Sequence, residues 1–238
     1  MICGVDVHHA SKKESILGFA ASMDAKVCQF HTSVLRQSEG QEIGLQMEKA
    51  IITAAANFNE AAGTWPQRII VYRDGVSFSQ MQAILSHEVA QVRSGLKSLD
   101  VQPELIYVIV NKRVNARFFK SDKGGQIFNP DRGTIIDTDV VNQDIFDFYL
   151  VSHGSRVGVQ APTHYHVAYW SNEVDVHELY ELTYRLTYGY YNFSSSIKVP
   201  SPVIYAHKLS KLIGETQAKD KGTEIQVNSK LSDKLYFI

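Results

Sequence analysis

The fold of this chain is decided by Arg68–Ser77, which reads Arg-Ile-Ile-Val-Tyr-Arg-Asp-Gly-Val-Ser. Its four consecutive apolar residues are typical of a strand that is covered on both faces. Asp74 and Gly75 then predict a sharp turn, and a helical pattern begins near Ser77. Because ligands and catalytic groups collect at the carboxyl ends of strands in open α/β sheets, Asp74 is well placed for chemistry. An acid in this position suits the cap of a turn or a helix equally well.

Length and composition indicate one large α/β domain or two small ones. The chain has 238 residues, of which 44% are hydrophobic, and this is enough to bury a sizeable core. No apolar window is long enough to span a bilayer, and Asp6 comes too early for a signal peptide, which predicts a soluble intracellular protein. The net charge of −1 does not indicate a nucleic-acid partner, so local patches would have to hold one. Cys3 and Cys28 lack metal-site spacing, and we expect both to be buried free thiols.

Three strands are predicted at the start of the chain, over Ile2–Val7, Ser15–Ser22 and Lys26–Val34. In the first of them, Asp6 shares a face with Gly4 and His8. A buried carboxylate in mid-strand is unfavourable by several kcal/mol unless a cation or hydrogen bonds compensate, so Asp6 predicts a metal or a basic partner. The alternative is an acid at a strand end that is solvated beside Lys12 and Lys13.

Helical spacing follows in three parts of the chain, over Gln37–Phe58, Phe78–Leu99 and Val176–Tyr190. Glu42 would lie in the first turn of the first helix, where the helix dipole favours an acid without any catalytic role. Further strands are predicted at Leu105–Val110 and Phe146–His153. Val199–Pro202 interrupts any helix, so His207 would lie on a new helix after it. A lone histidine in such a place is usually a hydrogen-bonded core residue.

The densest basic run of the chain follows the strand Leu105–Val110. Asn111–Lys120 reads Asn-Lys-Arg-Val-Asn-Ala-Arg-Phe-Phe-Lys, with four cations and no acid. Basic and aromatic residues that alternate at the exit of a strand suit phosphate groups. The alternative is a solvated strand face, which is the usual role of a charge run.

Five motifs of the chain together resemble the Piwi domain of argonaute and Piwi proteins, and more closely the Piwi branch. They are Val5–His8, Tyr72–Ser77, Lys112–Phe119, Pro162–His166 and Tyr205–Leu209, in the order of that family. The resemblance covers essentially the entire chain. It implies an α/β, ribonuclease-H-like fold in which a mixed β-sheet is flanked by helices. Residues 1–238 would then be one Piwi domain from a longer protein, without its amino-terminal, PAZ and MID regions.

The resemblance also implies which residues form the site. Those with a catalytic role would be Asp6, Glu42, Asp74 and His207, with Glu39 as the alternative to Glu42. Asp6, Asp74 and His207 would hold two Mg²⁺ ions, or Mn²⁺, and the terminal carboxylate of Ile238 would contribute to a metal at the pocket for the guide 5′ end. Contacts to RNA would come from Lys112, Arg113, Arg117, Lys120, Tyr165 and Lys211. His164 would be structural or face the nucleic acid, and would not be a metal ligand.

The function implied by the resemblance is that of a small-RNA-guided, metal-dependent endoribonuclease. Such a slicer cuts target RNA paired to a piRNA-type guide in gene or transposon silencing. Its partners would be the guide RNA, the target RNA, its own MID and PAZ regions and other silencing-complex proteins, but no membrane. The cytoplasm, including perinuclear granules, is the expected compartment, and the nucleus is the alternative. Two other functions stay open: a catalytically idle guide- and target-binding module that recruits partners, and an unguided nuclease that acts on any hybrid.

Overall fold

The Arg68–Asp74 run forms β4, in the middle of a mixed sheet. The computed structural model describes residues 1–9, 14–142, 144–155, 157–172, 175–216, 228–231 and 234–238. In those residues the sheet has eight strands in the order β3-β2-β1-β4-β5-β10-β9-β8, and β6 pairs with β7 separately. The other strands are β1 Ile2–His9, β2 Ser15–Ser22, β3 Phe30–Gln37, β5 Glu104–Asn111, β6 Lys120–Ser121, β7 Ile127–Phe128, β8 Thr134–Ile136, β9 Asp147–Val151 and β10 Thr163–Trp170. The pairs β1–β4 and β4–β5 are parallel.

Helices cover both faces of this sheet. They are α1 Met47–Ala62, α2 Met81–Ala83, α3 Ala90–Ser98, α4 Val176–Leu186 and α5 Ser201–Thr216, with 3₁₀ turns at Phe78–Gln80 and Ser229–Leu231 and a π-helical turn at Ile84–Val89. Alternate residues of β4 belong to different cores: Ile69 and Val71 pack with α1 and α3, whereas Ile70 and Tyr72 pack with α4. This burial on both faces explains why the strand is a continuous apolar run. No helix in the described part of the chain is long and apolar enough to cross a membrane.

The parallel pairing of β1 with β4 places two acids at the same edge of the sheet. Val5 lies opposite Arg73 in the register of these strands. The next residue of each strand is an aspartate, so Asp6 and Asp74 lie side by side where the pairing of β1 with β4 ends. Asp74 is in turn opposite Val110 of β5, which brings the start of the basic run to the same edge.

Helix α5 lies very close to β1 and β2, because two glycines leave room for its backbone. A Cβ atom at Gly4 would lie 2.1 Å from the backbone C and O of Pro202, and one at Gly18 would lie 2.2 Å from the backbone O of Ala206. Gly4 and Asp6 point to the same side of β1. The close approach at Gly4 therefore brings the middle of α5 within reach of Asp6.

Three predicted boundaries are corrected by the structure. The turn after β2 is longer than expected, because Asp24 Oδ1 accepts hydrogen bonds from the backbone N–H groups of Cys28 and Gln29. As a result β3 begins at Phe30, not at residue 26, and Cys28 is exposed. Helix α1 begins at Met47, so the segment from Gln37 onward is not helical. The segment predicted as one long helix at Phe78–Leu99 is helical throughout, but a π-helical turn interrupts it.

We predict that Gly4→Ala destabilises the fold, because the new methyl group meets backbone atoms of α5 that cannot move alone. The expected loss in the free energy of unfolding is about 1–3 kcal/mol, as for other overpacked cores. Urea denaturation would measure it. Gly124→Ala is the matched control, because Gly124 is exposed and its Cβ would touch only the flexible side chain of Asp122. Equal midpoints for the two variants would contradict this account of the interface.

Candidate active site

The first pair of predicted site residues meets where α5 crosses β1. Asp6 is 5% exposed, and its Oδ2 lies 2.7 Å from Nδ1 of His207. This distance allows the ring N–H to donate to the carboxylate, which orients the imidazole. Both residues line a groove with a cavity volume of about 620 Å³, together with Glu42 and Asp74. The structure therefore brings together the four residues for which a catalytic role was predicted.

Asp74 lies at the end of β4 and is almost completely buried. Its Oδ1 accepts a hydrogen bond from the backbone N–H of Gly75 at 2.8 Å, and its Oδ2 forms an ion pair with Lys112. Burial, together with the negative charge of Asp6, raises the pKa of Asp74 above its usual value, although Lys112 acts in the opposite direction. A buried carboxylate beside a second acid forms an environment that favours a bound cation.

Glu42 reaches this groove from the loop that precedes α1. A Cβ atom at Gly75, whose φ is +87°, would lie 3.4 Å from Oε1 of Glu42 and 3.5 Å from Oδ1 of Asp6. The two carboxylates thus border the same glycine, directly after Asp74. Since α1 begins five residues later at Met47, a helix dipole does not account for the position of Glu42, and that prediction was wrong. Glu39 is exposed in a turn.

The carboxylate of Glu42 contacts two basic side chains. Its Oε2 lies 2.6 Å from Nε2 of His9, and its Oε1 lies 2.9 Å from Nη2 of Arg73. Arg73 also donates from Nη2 to the backbone carbonyl of Glu42 at 2.6 Å, and from Nη1 to the backbone carbonyl of Asp74. One guanidinium therefore fixes the two chain segments that carry Glu42 and Asp74.

Arg73 is fully buried, and Glu88 is its principal counter-charge. Nε of Arg73 lies 3.1 and 3.2 Å from the two carboxylate oxygens of Glu88, which is also fully buried. Burial opposes the charge on Arg73, but the charges of Glu88 and Glu42 raise its pKa above the usual value. Glu88 further accepts hydrogen bonds from the backbone N–H of Gly44 at 2.7 Å and from the hydroxyl of Tyr107. It lies in the π-helical turn Ile84–Val89, a type of irregularity that is frequent at functional sites.

The residues predicted to contact RNA have different surroundings. Lys112 and Arg113 line the groove, and Lys112 is the cation paired with Asp74. Arg117 donates to the backbone carbonyls of Val114 and Ala116 in its own loop, each at 2.7 Å. The ammonium group of Lys120 lies 2.7 Å from the carboxylate of Asp131. Of these four, only Lys112 and Arg113 therefore face the residues for which a catalytic role was predicted.

The other two predicted RNA contacts, Lys211 and Tyr165, lie away from this groove, and so does the predicted metal ligand Ile238. Lys211 is on the exposed side of α5, where its Nζ lies 3.7 Å from Oε1 of Glu215. Tyr165 is fully buried and its ring stacks on Phe148 at 5.0 Å, so the predicted contact with RNA is corrected: the side chain does not reach the surface. Ile238 packs in a third core cluster that contains residues of α5.

A second cluster of potential metal ligands lies beside the groove. One ligand atom from each of Asp147, His164 and His166 lies within 4.8 Å of the other two. Burial, with the neighbouring His164, lowers the pKa of His166 to about 4, which leaves the ring neutral. The prediction that His164 is not a metal ligand is therefore not supported by its surroundings.

Comparisons with known proteins decide the family. A family model for the Piwi domain matches residues 1–218. The chain belongs to the Piwi-domain family. It is 39% identical over 242 aligned residues to Piwi-like protein 1 of Gallus gallus, covering 100% of this chain and 27% of that protein. The chain thus spans about a quarter of the length of the curated relatives it matches.

Solved structures confirm the ribonuclease-H-like fold. The crystal structure of Drosophila Piwi has a TM-score of 0.83 and 28% identity, and the match covers 100% of this chain and 32% of that one. An Argonaute of Kluyveromyces polysporus, solved with a guide RNA, has a TM-score of 0.89 and 24% identity, with coverage of 100% and 32%. The mixed sheet with helices on both faces is therefore that of a Piwi domain.

Sequence reasoning missed two parts of this site. Glu88 supports Arg73, and its only signal in the sequence is an acid on the buried stripe of a helix, four residues after Ile84. Lys198 donates from Nζ to the backbone carbonyl of Lys112. Burial lowers the pKa of Lys198, and the charges of Arg117 and Lys112 lower it further. Three cations therefore lie close together beside the groove.

We predict that Glu88→Gln strongly destabilises the Piwi domain, because it leaves the buried Arg73 without its principal counter-charge. The expected loss in the free energy of unfolding is about 3–5 kcal/mol, as for other broken buried pairs. Denaturant titration would measure this loss. Glu178→Gln is the control, since Glu178 pairs with Arg68 on the surface and should contribute no more than about 1 kcal/mol. A similar small effect of both variants would mean that Arg73 does not depend on Glu88.

The raised pKa of Asp74 predicts a pH-dependent stability. Because folding raises this pKa, the folded chain binds the proton more tightly than the unfolded chain does. Asp74 therefore contributes fully to folding below its unfolded pKa of about 3.9, and the contribution is lost as pH rises through the folded pKa. Without metal, the Tm of Asp74→Asn should rise relative to that of the unsubstituted chain between acid and neutral pH. Thermal melts in EDTA would test this.

Glu60→Gln is the control for these melts, because Glu60 is an exposed residue of α1 that lies away from the groove. Its Tm should keep a constant offset from that of the unsubstituted chain across the same pH range. Added Mg²⁺ should then raise the Tm of the unsubstituted chain more than that of Asp74→Asn. The assignment of Asp74 as a metal ligand with a raised pKa would be contradicted in either of two cases. One is a Tm of Asp74→Asn that runs parallel to that of the unsubstituted chain across pH in EDTA, and the other is an equal rise of both Tm values in Mg²⁺.

Proposed function

We propose that this Piwi domain is the nuclease part of a small-RNA-guided, metal-dependent endoribonuclease that cuts target RNA paired to its guide. The observation that carries the proposal is the convergence of Asp6, Glu42, Asp74 and His207 on one groove beside Gly75. A module that only binds RNA has no need for three acids and an imidazole at one point, since acids repel phosphates. Hydrolysis of a phosphodiester by bound metal ions does need them.

The donor set of the groove fits Mg²⁺, and Mn²⁺ would accept the same ligands. Asp6, Asp74 and His207 would hold the ions, and Glu42 would complete the set from its position against Arg73 and His9. Metal ions held there would supply the Lewis acidity that polarises a phosphodiester and activates water. Within the chain, Asp6 keeps the imidazole of His207 oriented, and Lys112 must leave Asp74 when a cation binds.

We further infer that a guide RNA and its target lie along this groove. A second groove adjoins this one at Ser77, Asn111 and Arg113. Arg113 lines both grooves and is therefore in a position to contact phosphates without reading bases. Support comes from the Argonaute of Kluyveromyces polysporus, which was solved with a guide RNA. MID and PAZ regions of a longer protein would hold the ends of the guide, and other silencing proteins in the cytoplasm or nucleus would act through that protein.

One observation favours the idle guide-binding module as the alternative. Lys112 forms an ion pair with Asp74 and so occupies a position that a metal ligand must give up. If the pair never opened, the groove would bind RNA without cutting it. However, Lys112 lies on a loop and its side chain is 32% exposed, so its ammonium group can move into solvent.

The decisive experiment is single-turnover cleavage by a longer protein that carries this chain with its MID and PAZ regions. The substrate is a labelled RNA that is complementary to a 5′-phosphorylated guide, in Mg²⁺. We expect cleavage, and we expect Asp74→Ala to reduce its rate by about 10³-fold or more, the scale of losing one catalytic group. Affinity for the guided target should stay within a few-fold, because Asp74 does not hold the duplex.

Glu215→Ala serves as the control, since Glu215 is an exposed residue of α5 paired with Lys211. Its rate should match that of the unsubstituted protein. Tight binding of the target without cleavage, in the unsubstituted protein itself, would replace the slicer with the idle module. Cutting of an RNA–DNA hybrid without any guide would support the unguided nuclease, and cleavage by Asp74→Ala within a few-fold of normal would reject the site.

A further inference from the structure

The cluster of Asp147, His164 and His166 is built by the register of two antiparallel strands. His166 of β10 lies directly opposite Asp147 of β9. His164 precedes His166 by two residues, so both rings leave β10 on the same face of the sheet as Asp147. The three side chains therefore meet because of the sheet itself, and no loop is needed to hold them.

The distances from Asp147 to the two histidines are close to those between ligands of a tetrahedral metal centre. Oδ2 of Asp147 lies 2.6 Å from Nε2 of His164 and 3.6 Å from Nδ1 of His166. Metal–ligand distances of about 2.0–2.1 Å place two tetrahedral ligands about 3.3 Å apart. The observed values lie on either side of this separation, so small side-chain rotations would suffice to admit an ion.

An unsatisfied nitrogen points into the cluster. His166 is 5% exposed, and its Nδ1 has no hydrogen-bond partner. Oδ2 of Asp147 lies 3.6 Å from this nitrogen, which is beyond the hydrogen-bond range. A buried polar atom without a partner is unfavourable and calls for an explanation. A metal ion bound to this nitrogen would supply the missing partner.

The surroundings orient the other two ligands. Oδ1 of Asp147 accepts a hydrogen bond from the backbone N–H of Asn142 at 3.1 Å, which leaves Oδ2 to face the histidines. The ring of His164 stacks on Tyr149 with a centroid distance of 3.9 Å and an interplanar angle of 9°. Outer contacts of this kind fix the orientation of metal ligands in proteins.

We propose that Asp147, His164 and His166 form a metal site that is separate from the catalytic groove and binds a transition-metal dication such as Zn²⁺. Two imidazoles and one carboxylate suit Zn²⁺, whereas Mg²⁺ favours a set dominated by oxygen ligands, such as the three carboxylates of the catalytic groove. Three protein ligands leave a fourth position open. The three ligands line the second groove, of about 510 Å³, which adjoins the catalytic groove at Ser77, Asn111 and Arg113.

Zinc binding by the full chain tests this proposal directly. The chain is stripped of metal with a chelator and titrated with Zn²⁺ in an excess of Mg²⁺, which occupies the oxygen-rich catalytic groove. Calorimetry and elemental analysis should show one tightly bound zinc. We expect His166→Gln to weaken binding by about 100-fold or more, since the loss of a supporting group alone costs 10–100-fold. Asp74→Asn should leave zinc affinity unchanged, which separates this site from the catalytic one.

His177→Gln is the matched control, because His177 is an exposed histidine on α4 that does not belong to the cluster. Its zinc affinity should equal that of the unsubstituted chain. His164→Gln provides a second ligand variant if His166→Gln folds poorly in a thermal melt. Cobalt(II) gives an independent readout, since a tetrahedral site with nitrogen ligands produces visible absorption bands that either variant should abolish.

Two results would overturn the proposal. The first is zinc binding that survives both His164→Gln and His166→Gln, which would place the ion elsewhere. The second is a chain that binds zinc only at a position lost in Asp74→Asn. The cluster would then be a hydrogen-bonded support between β9 and β10.

Discussion

The buried ion pair between Arg73 and Glu88 is the interaction on which the rest of the site depends. A buried pair of this kind adds little net stability relative to apolar residues, because desolvation offsets the attraction between its charges. Its main effect here is to fix the positions of the chain segments around it. The guanidinium donates to the backbone carbonyls of Glu42 and Asp74, and Glu88 accepts from the backbone of Gly44. Three segments that are distant in the sequence are thereby locked around one charge, and two of them carry proposed metal ligands.

The second constraint is the contact between α5 and β1, which places the remaining two site residues. Gly4, Asp6 and His8 are every second residue of β1 and therefore lie on the same side of the strand. A Cβ atom at Gly4 would meet Pro202, and one at Gly214 would lie 2.5 Å from the ring of His8. The strand and helix therefore approach closely on either side of Asp6, and His207 contacts it between these two points. Gly4 and Gly214 thus allow the short distance between β1 and α5 that lets Asp6 contact His207.

The sequence predicts this site unevenly, and the reasons are physical. Asp6 is visible as an acid inside an apolar strand and Asp74 as an acid at the end of one. His207 is found only through the family motif, since its partner lies 201 residues away. The site position of Glu42 also came from the resemblance, but the helix predicted to include it begins only at Met47, because helical periodicity does not reveal a loop that is held by distant side chains. The burial of Tyr165 and the pairing of Asp147 with His166 both depend on strand register, which no local pattern contains.

The ion pair of Lys112 with Asp74 reconciles a clustered set of acids with a stable metal-free fold. Asp6, Glu42 and Asp74 surround Gly75, and their mutual repulsion would favour opening of the groove in the absence of a cation. Arg73 balances Glu42 from the buried side, and Lys112 balances Asp74 from the solvent side. The buried base is locked by Glu88 and cannot leave, whereas the ammonium group of Lys112 is partly exposed and can. A dication that enters the groove would therefore displace only the ammonium group of Lys112 from Asp74. The other ligands are already held in place by the fold.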